Sequence, residues 1–291
     1  MAASTAPVAP APGVGGTPGA GGATPVARGG AFSVITSRMP LRVLEHDLMV
    51  FRRGWHSYLL SGLTQPFLYL LSMGIGLGLY VNRNGGIPGG VPYLNYIAPA
   101  LLVTQAMMAG SNEAAWPIMS KFIWEKTYHA AVNTPLRPTD LLGGDLMWVA
   151  FRLFLIASLF FIVVVVMGAV TSPLAVLAIP IAMLTGLAFA APIMAFAATQ
   201  QNDQPFNMLF RFGITPLFLF SGTFFPIERL PLFLQPLAWV TPLFHGVSLA
   251  RAFSLGQVDP VGDAIHIAVL CGFIVAGVVA GRITFRRRLA V

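Results

Sequence analysis

The chain has 291 residues, 56% of them hydrophobic and only 9% charged, with 17 Lys and Arg against 10 Asp and Glu for a formal net charge of +7. Soluble domains carry about 25% charged residues, so this composition excludes an ordinary water-soluble enzyme and points to an integral membrane protein. The basic excess sits beside apolar runs, where the positive-inside bias of cytoplasmic loops explains it without a nucleic-acid partner.

Residues 1–37 are dominated by Ala, Gly, Pro, Thr and Val, with Arg28 the single charge before Arg38. That composition builds no core and predicts a disordered tail. It also lacks the basic and continuous apolar regions of a signal peptide. From Arg38 to Arg53, Leu41, Leu44, Leu48 and Phe51 recur at helical spacing among Arg42, Glu45, His46, Arg52 and Arg53. This pattern predicts an amphipathic helix lying in the membrane interface.

A bilayer core takes about 20 apolar residues to cross. Spans are predicted over about 56–81, 93–115, 142–168, 174–198, 206–222 and 264–281. The expected class is therefore an all-α polytopic membrane protein with six transmembrane helices. Residues 116–140 form a polar, partly helical loop in which Lys121, Glu125, Lys126 and His129 are interleaved with Trp116, Phe122, Trp124 and Tyr128. Spaced at i, i+4, i+5 and i+8, the four ionisable residues share one face if that loop is helical.

Residues 223–262 present an ambiguity. Hydropathy alone draws a span near 230–250, but Pro231, Pro236 and Pro242 interrupt it, and proline inside a helix removes a backbone bond. Charge parity favours six spans, because Arg282, Arg286, Arg287 and Arg288 then lie on the same side as Arg38–Arg53. Both termini and the 116–140 loop are then cytoplasmic, and 223–262 is a re-entrant or surface-lying outer hairpin.

Within the expected spans, Glu113, Arg152 and Arg211 are ionisable. A charge at bilayer depth costs roughly 2.5–3.5 kcal/mol, so such groups face a partner or a cavity. The readings are a pair between Glu113 and an arginine, a translocation-path element, or snorkelling of Arg211 to the interface. Phe225, Pro226, Glu228, Arg229 and His245 mark the outer hairpin as a gate; for Glu228, Arg229, His245 and Arg251, plain solvation at the outer surface is the simpler reading. The sequence contains no metal-ligand spacing. Cys271 is the single cysteine, and Gly74, Gly76 and Gly78 lack the context of a dinucleotide loop.

Three stretches carry a family resemblance. The first is Tyr93-Leu94 with the span after it, and the second runs from Trp124 through Asn133-Thr134-Pro135-Leu136 to Gly144-Asp145-Leu146-Met147-Trp148. The third runs from Thr215-Pro216 through Ser221-Gly222-Thr223-Phe224-Phe225-Pro226 to Leu230-Pro231. Together they resemble the permease subunit of type-2 ATP-binding-cassette exporters, most closely the NodJ branch associated with lipo-oligosaccharide export. Daunorubicin-resistance permeases share the plan.

The resemblance implies a six-span half-transporter in a bacterial cytoplasmic membrane. It would pair with a second permease copy or paralogue and with two copies of an ATPase subunit that hold ATP and Mg. Residues 116–140, with Lys121, Trp124, Glu125, Lys126 and His129, would couple to that ATPase. The chain has no G-x-x-x-x-G-K-[ST] loop of its own, so it is expected to be a transport subunit and not an enzyme. Its cargo would be an amphipathic molecule such as a lipo-oligosaccharide, a glycolipid or a hydrophobic drug. An ion-coupled secondary transporter and a membrane-embedded lipid-modifying enzyme are the rival readings.

Overall fold

The computed structural model describes residues 39–83, 90–224, 226–227, 231–232 and 235–289, and all regular structure among them is helical. The predicted tail over 1–37 lies outside the described residues. The elements are α1 (Met39–Leu70), a π-helical stretch (Leu71–Leu77), α2 (Gly78–Arg83), α3 (Tyr93–Ile123), α4 (Thr127–Ala131) and α5 (Pro138–Val166). A 3-10 turn (Pro173–Leu177) then precedes α6 (Ala178–Ala197), and α7 (Gln204–Met208) leads through a second π stretch (Leu209–Ile214) into α8 (Thr215–Phe220). The chain ends in α9 (Gln235–Val240), α10 (Pro242–Leu255) and α11 (Pro260–Leu289).

The predicted interface helix and first span form one run, jointed at Gly54, whose φ of −125° and ψ of 15° are not helical. Three of the four predicted apolar residues, Leu44, Leu48 and Phe51, lie on the face that this run turns inward; Leu41 does not, and Val43 and Asp47 join them. Leu41 is 44% exposed, whereas Val43, Leu44, Asp47, Leu48 and Phe51 are half-buried. Asp47 belongs to that inner stripe because a cation waits for it there, as described below. Phe51 meets Trp148 and Phe151 of α5 edge-on, at 5.8 and 6.0 Å between centroids. A Cβ on Gly144 would stand 2.5 Å from the Val43 Cβ, so this glycine lets α1 lie directly on α5.

Helix α3 runs eight residues past its predicted end at 115. Ala115, Ile118, Met119 and Phe122 are all buried, and this i, i+3, i+4, i+7 stripe carries the helix on through a sequence whose charges suggest a loop. The chain then breaks at 124–126, where Lys126 takes a left-handed φ of 53°. Because α3 and α4 are separate helices, Lys121, Glu125, Lys126 and His129 do not share one helical face as the spacing suggested. Helix α5 begins four residues before the predicted 142. Pro138 occupies its first turn and the Asp140 carboxylate accepts from the Arg137 amide at 3.1 Å, an N-terminal arrangement that also suits the helix dipole.

Helix α6 is the hub, packing on α3, α5, α10 and α11. In its most apolar stretch 56% is buried, against 17% for α11, which places α6 at the centre and α11 at the edge. Small residues allow this closeness, as they do between membrane helices. A Cβ on Gly110 would come within 2.6 Å of the Gly186 carbonyl oxygen, and one on Gly277 within 2.5 Å of the Pro192 nitrogen.

Among the described residues, three helical segments are long and apolar enough to cross a membrane: Pro138–Val166, Pro173–Ala197 and Pro260–Leu289. They correspond to the third, fourth and sixth predicted spans. Among its described residues, the proline-rich 223–262 stretch holds α9 and α10 and the start of α11, with Pro236 and Pro242 in the first turns of α9 and α10, where a missing N–H goes unnoticed. The Thr241 hydroxyl caps α10, and Gly256, at φ 72°, ends it.

Candidate functional site

Four elements converge at the end of the molecule where α3 stops. The Lys121 ammonium, on the last turn of α3, donates to Asp145 of α5 at 2.7 Å and to Asp47 of α1 at 3.1 Å. The buried Tyr128 hydroxyl of α4 donates to the other oxygen of Asp145. Asp145 is 1% exposed, so both of its oxygens are satisfied by protein. Burial alone would lower the Lys121 value, but Asp145 and then Asp47 outweigh it and hold the ammonium above the ordinary lysine range. Burial, followed by the Asp145 charge, keeps the Tyr128 phenol well above its usual value, so it stays a donor.

Helix α11 closes over this node. Phe285 packs on Phe122 and Tyr128 at 5.0 and 5.7 Å. The Arg288 guanidinium lies 4.5 Å above the Phe122 ring and donates to the Ala197 and Ala198 carbonyls at 3.1 and 2.9 Å. It thereby gives a partner to the Ala198 carbonyl just past the end of α6 and a second one to the Ala197 carbonyl, which also accepts from the Gln200 amide at 3.2 Å.

About two turns further into the bundle, Arg152 of α5 donates to Glu113 of α3. The structure thus brings these two predicted intramembrane charges together. Arg152→Gln is expected to lower the thermal midpoint of the detergent-solubilised protein more than the double change Glu113→Gln/Arg152→Gln, because the single change strands a carboxylate. Equal losses in both variants would count against a compensating pair.

The node and the pair border a cavity of about 770 Å³, walled by Arg42, Glu113, Lys121 and Arg152 on one hand and by Phe51, Pro117, Leu136 and Trp148 on the other. Charged and apolar walls face the same space. Trp124 (64% exposed), Lys126 and His129 lie outside it on a solvent-facing edge; Glu125, exposed on the same edge, also lines the cavity and accepts from the Ser120 hydroxyl at 2.6 Å. Lys121, predicted to belong with them, points inward instead.

Arg211 is exposed on the second π stretch, with its guanidinium 5.7 Å from the Phe212 ring centroid. Of the predicted gate residues, Phe225, Glu228 and Arg229 lie outside the described residues. Pro226 is half-buried and His245 is buried. Sequence reasoning treated Arg251 as solvated. In the structure its guanidinium stacks 3.7 Å from the Tyr96 ring and donates to the Tyr96 and Thr223 carbonyls at 3.1 and 2.7 Å. It also missed Asp47 and the bridging role of Asp145, although a lone carboxylate heading an apolar run is itself a signal of a buried partner.

A family model described as ABC-2 type transporter matches residues 41–254. The chain belongs to this family. It is similar to Nodulation protein J of Rhizobium leguminosarum bv. viciae, 32% identical over 251 residues that cover 86% of this chain and 94% of the relative. Nodulation protein J of Sinorhizobium fredii (strain NBRC 101917 / NGR234) is 30% identical over 235 residues, covering 81% and 88%. That of Rhizobium meliloti (strain 1021) is 29% identical over 249 residues, covering 86% and 93%. The ABC-2 chain is thus a multi-pass membrane protein whose matched region is a permease domain, with no ATPase domain identified in it. Membership of the ABC-2 family implies an ATPase partner.

Proposed function

We propose that this ABC-2 permease is the membrane half of an exporter that moves an amphipathic substrate outward, driven by ATP hydrolysis on a separate subunit. The observation that carries the reading is the split at 124–126. It leaves Trp124, Glu125, Lys126 and His129 on an outer edge while Lys121 and Tyr128, from the same stretch, are tied inward to α1 and α5. Such an edge can take a push from a docked partner, and the buried bridge passes it to the helices. Charge complementarity at the edge would set register more than affinity.

The accompanying topology has six spans and both termini in the cytoplasm of a bacterial inner membrane. Helix α1 lies partly in the interface, and α9–α10 form a re-entrant hairpin on the outer face. The working unit is a dimer with a second copy or a paralogue, on two ATPase subunits. ATP and Mg belong to those subunits, and this chain holds no cofactor. Lipo-oligosaccharides, glycolipids and hydrophobic drugs all suit a cavity with charged and apolar walls side by side.

The test is recovery of the partner. The tagged full chain, solubilised from its native cells, should retain a P-loop ATPase. Replacing Trp124, Glu125 and His129 together by alanine should lower that recovery about tenfold without moving the thermal midpoint. Undiminished recovery would remove the coupling role from this edge. No ATPase with the native chain, even after mild cross-linking, would move the ion-coupled reading to the front.

A further inference from the structure

At the end of the bundle away from Lys121, His245 of α10 meets His266 of α11, with 2.6 Å between their Nδ1 atoms. The His245 Nε2 lies 2.9 Å from the Trp239 carbonyl oxygen. A carbonyl only accepts, so this nitrogen carries a hydrogen. Neutral His245 then offers a lone pair at Nδ1, and His266 must supply the hydrogen between the rings. His245 is 4% exposed, and Phe244 meets both imidazoles edge-on, at 5.4 and 5.8 Å between centroids.

We propose that His245 and His266 form a proton-sensitive clasp that fastens the hairpin helix α10 to α11 when neutral and releases it in acid. The pair tolerates one added proton, at the Nε2 of His266. A second has only the Nδ1 of His245 to enter, which sets N–H against N–H and cation against cation in contact. The clasp then has no bonded arrangement and must part.

Other groups around the pair are already committed. On α11 and the loop before it, Asp263 accepts from the Asp259 amide at 3.1 Å, while Asp259 accepts from the Val261 and Gly262 amides, each at 3.3 Å. Both carboxylates favour a first proton on His266. On α10, Arg251 is held by Tyr96 and Thr223. At this end α3 carries Tyr93 and Tyr96, while α6, α9 and the Pro173–Leu177 turn have no ionisable side chain. The outward position of the clasp rests on the topology proposed above; its chemistry does not.

The test uses the full chain with Cys271→Ser and spin labels at Val240 and Val261, both exposed. In detergent, the label separation should lengthen or broaden between about pH 8 and about pH 4, because burial and the neighbouring His266 ring hold the second protonation, at His245, below the ordinary histidine value of about 6.5. His266→Gln keeps a neutral donor and His245→Gln keeps a donor for Trp239. Each should retain the separation seen at the higher pH and lose the acid response. A native protein that does not respond overturns the clasp, with or without folded variants. So does a response that survives in either glutamine variant but vanishes in Asp263→Asn. In singly oriented proteoliposomes, a response confined to acidification of the cytoplasmic side would overturn the topology and leave the clasp standing.

Discussion

Lys121→Met is expected to destabilise the solubilised permease by about 3–5 kcal/mol, the range for removing one member of a buried ion pair. Methionine keeps the length of the side chain and removes the cation. Asp145 would then hold a nearly fully buried charge with only the Tyr128 hydroxyl as donor, and Asp47 would lose its contact as well. Thermal unfolding in detergent reads the loss. The double variant Lys121→Met/Asp145→Asn should recover a good part of it, because the stranded charge is gone. A single variant as stable as the native chain would mean that water, and not protein, satisfies Asp145.

The same bridge has a defined pH signature. The folded-state value of Lys121 is raised, so its contribution is fully present below the ordinary lysine value of about 10.4 and fades as pH climbs through the higher folded value. The stability difference between native chain and Lys121→Met should therefore be flat in its lysine contribution through neutral pH. A difference that collapsed near neutrality would point to another titrating group.

Gly110→Ala is expected to oppose helix propensity. Alanine is about 1 kcal/mol better than glycine inside a helix, so propensity alone predicts a gain. The new Cβ, however, would stand 2.6 Å from the Gly186 carbonyl oxygen and 3.1 Å from its carbon. Those are backbone atoms of the hub helix and cannot swing aside. Overpacking of this kind costs about 1–3 kcal/mol, occasionally more, and the net sign should be destabilising. Gly272→Ala on α11 provides the control. Nothing lies within 4 Å of its Cβ, so propensity should win there and stability should hold or rise. If both variants gained stability, the α3–α6 contact would be looser than the geometry indicates.

Much of the architecture was legible from apolar runs. The third predicted span, 142–168, and the observed α5, Pro138–Val166, differ mainly at the ends, because a long uncharged stretch has few other places to go. The end of α3 was less legible for a definite reason. Counting Lys121, Glu125 and Lys126 suggested a loop, while the apolar stripe through Ile118, Met119 and Phe122 decided the matter. The polar node was hidden in a different way. Asp47 and Lys121 lie 74 residues apart, and Lys121 and Asp145 lie 24 apart. No local spacing announces that they converge; only the packing of α1 and α3 on α5 brings them together. Arg251 was misjudged because a lone arginine in a proline-rich stretch looks solvated, whereas the Tyr96 ring and the Tyr96 and Thr223 carbonyls hold it half-buried.

The two π-helical stretches, Leu71–Leu77 and Leu209–Ile214, bear on how this bundle can deform. A π turn holds more residues than an α turn, so each stretch is slack wound into an otherwise taut helix. Taking up one residue of that slack turns everything beyond it by about 100° while the remainder of the helix stays intact. The two slack regions flank a shared contact, where Tyr69 meets Phe218 and Phe224 at 6.1 and 6.2 Å. Neither contains the glycines that lock α3 to α6 or α11 to α6. The fold therefore combines a stiff keel with two neighbouring ropes that can twist, and their aromatic seam is where such a twist is felt first.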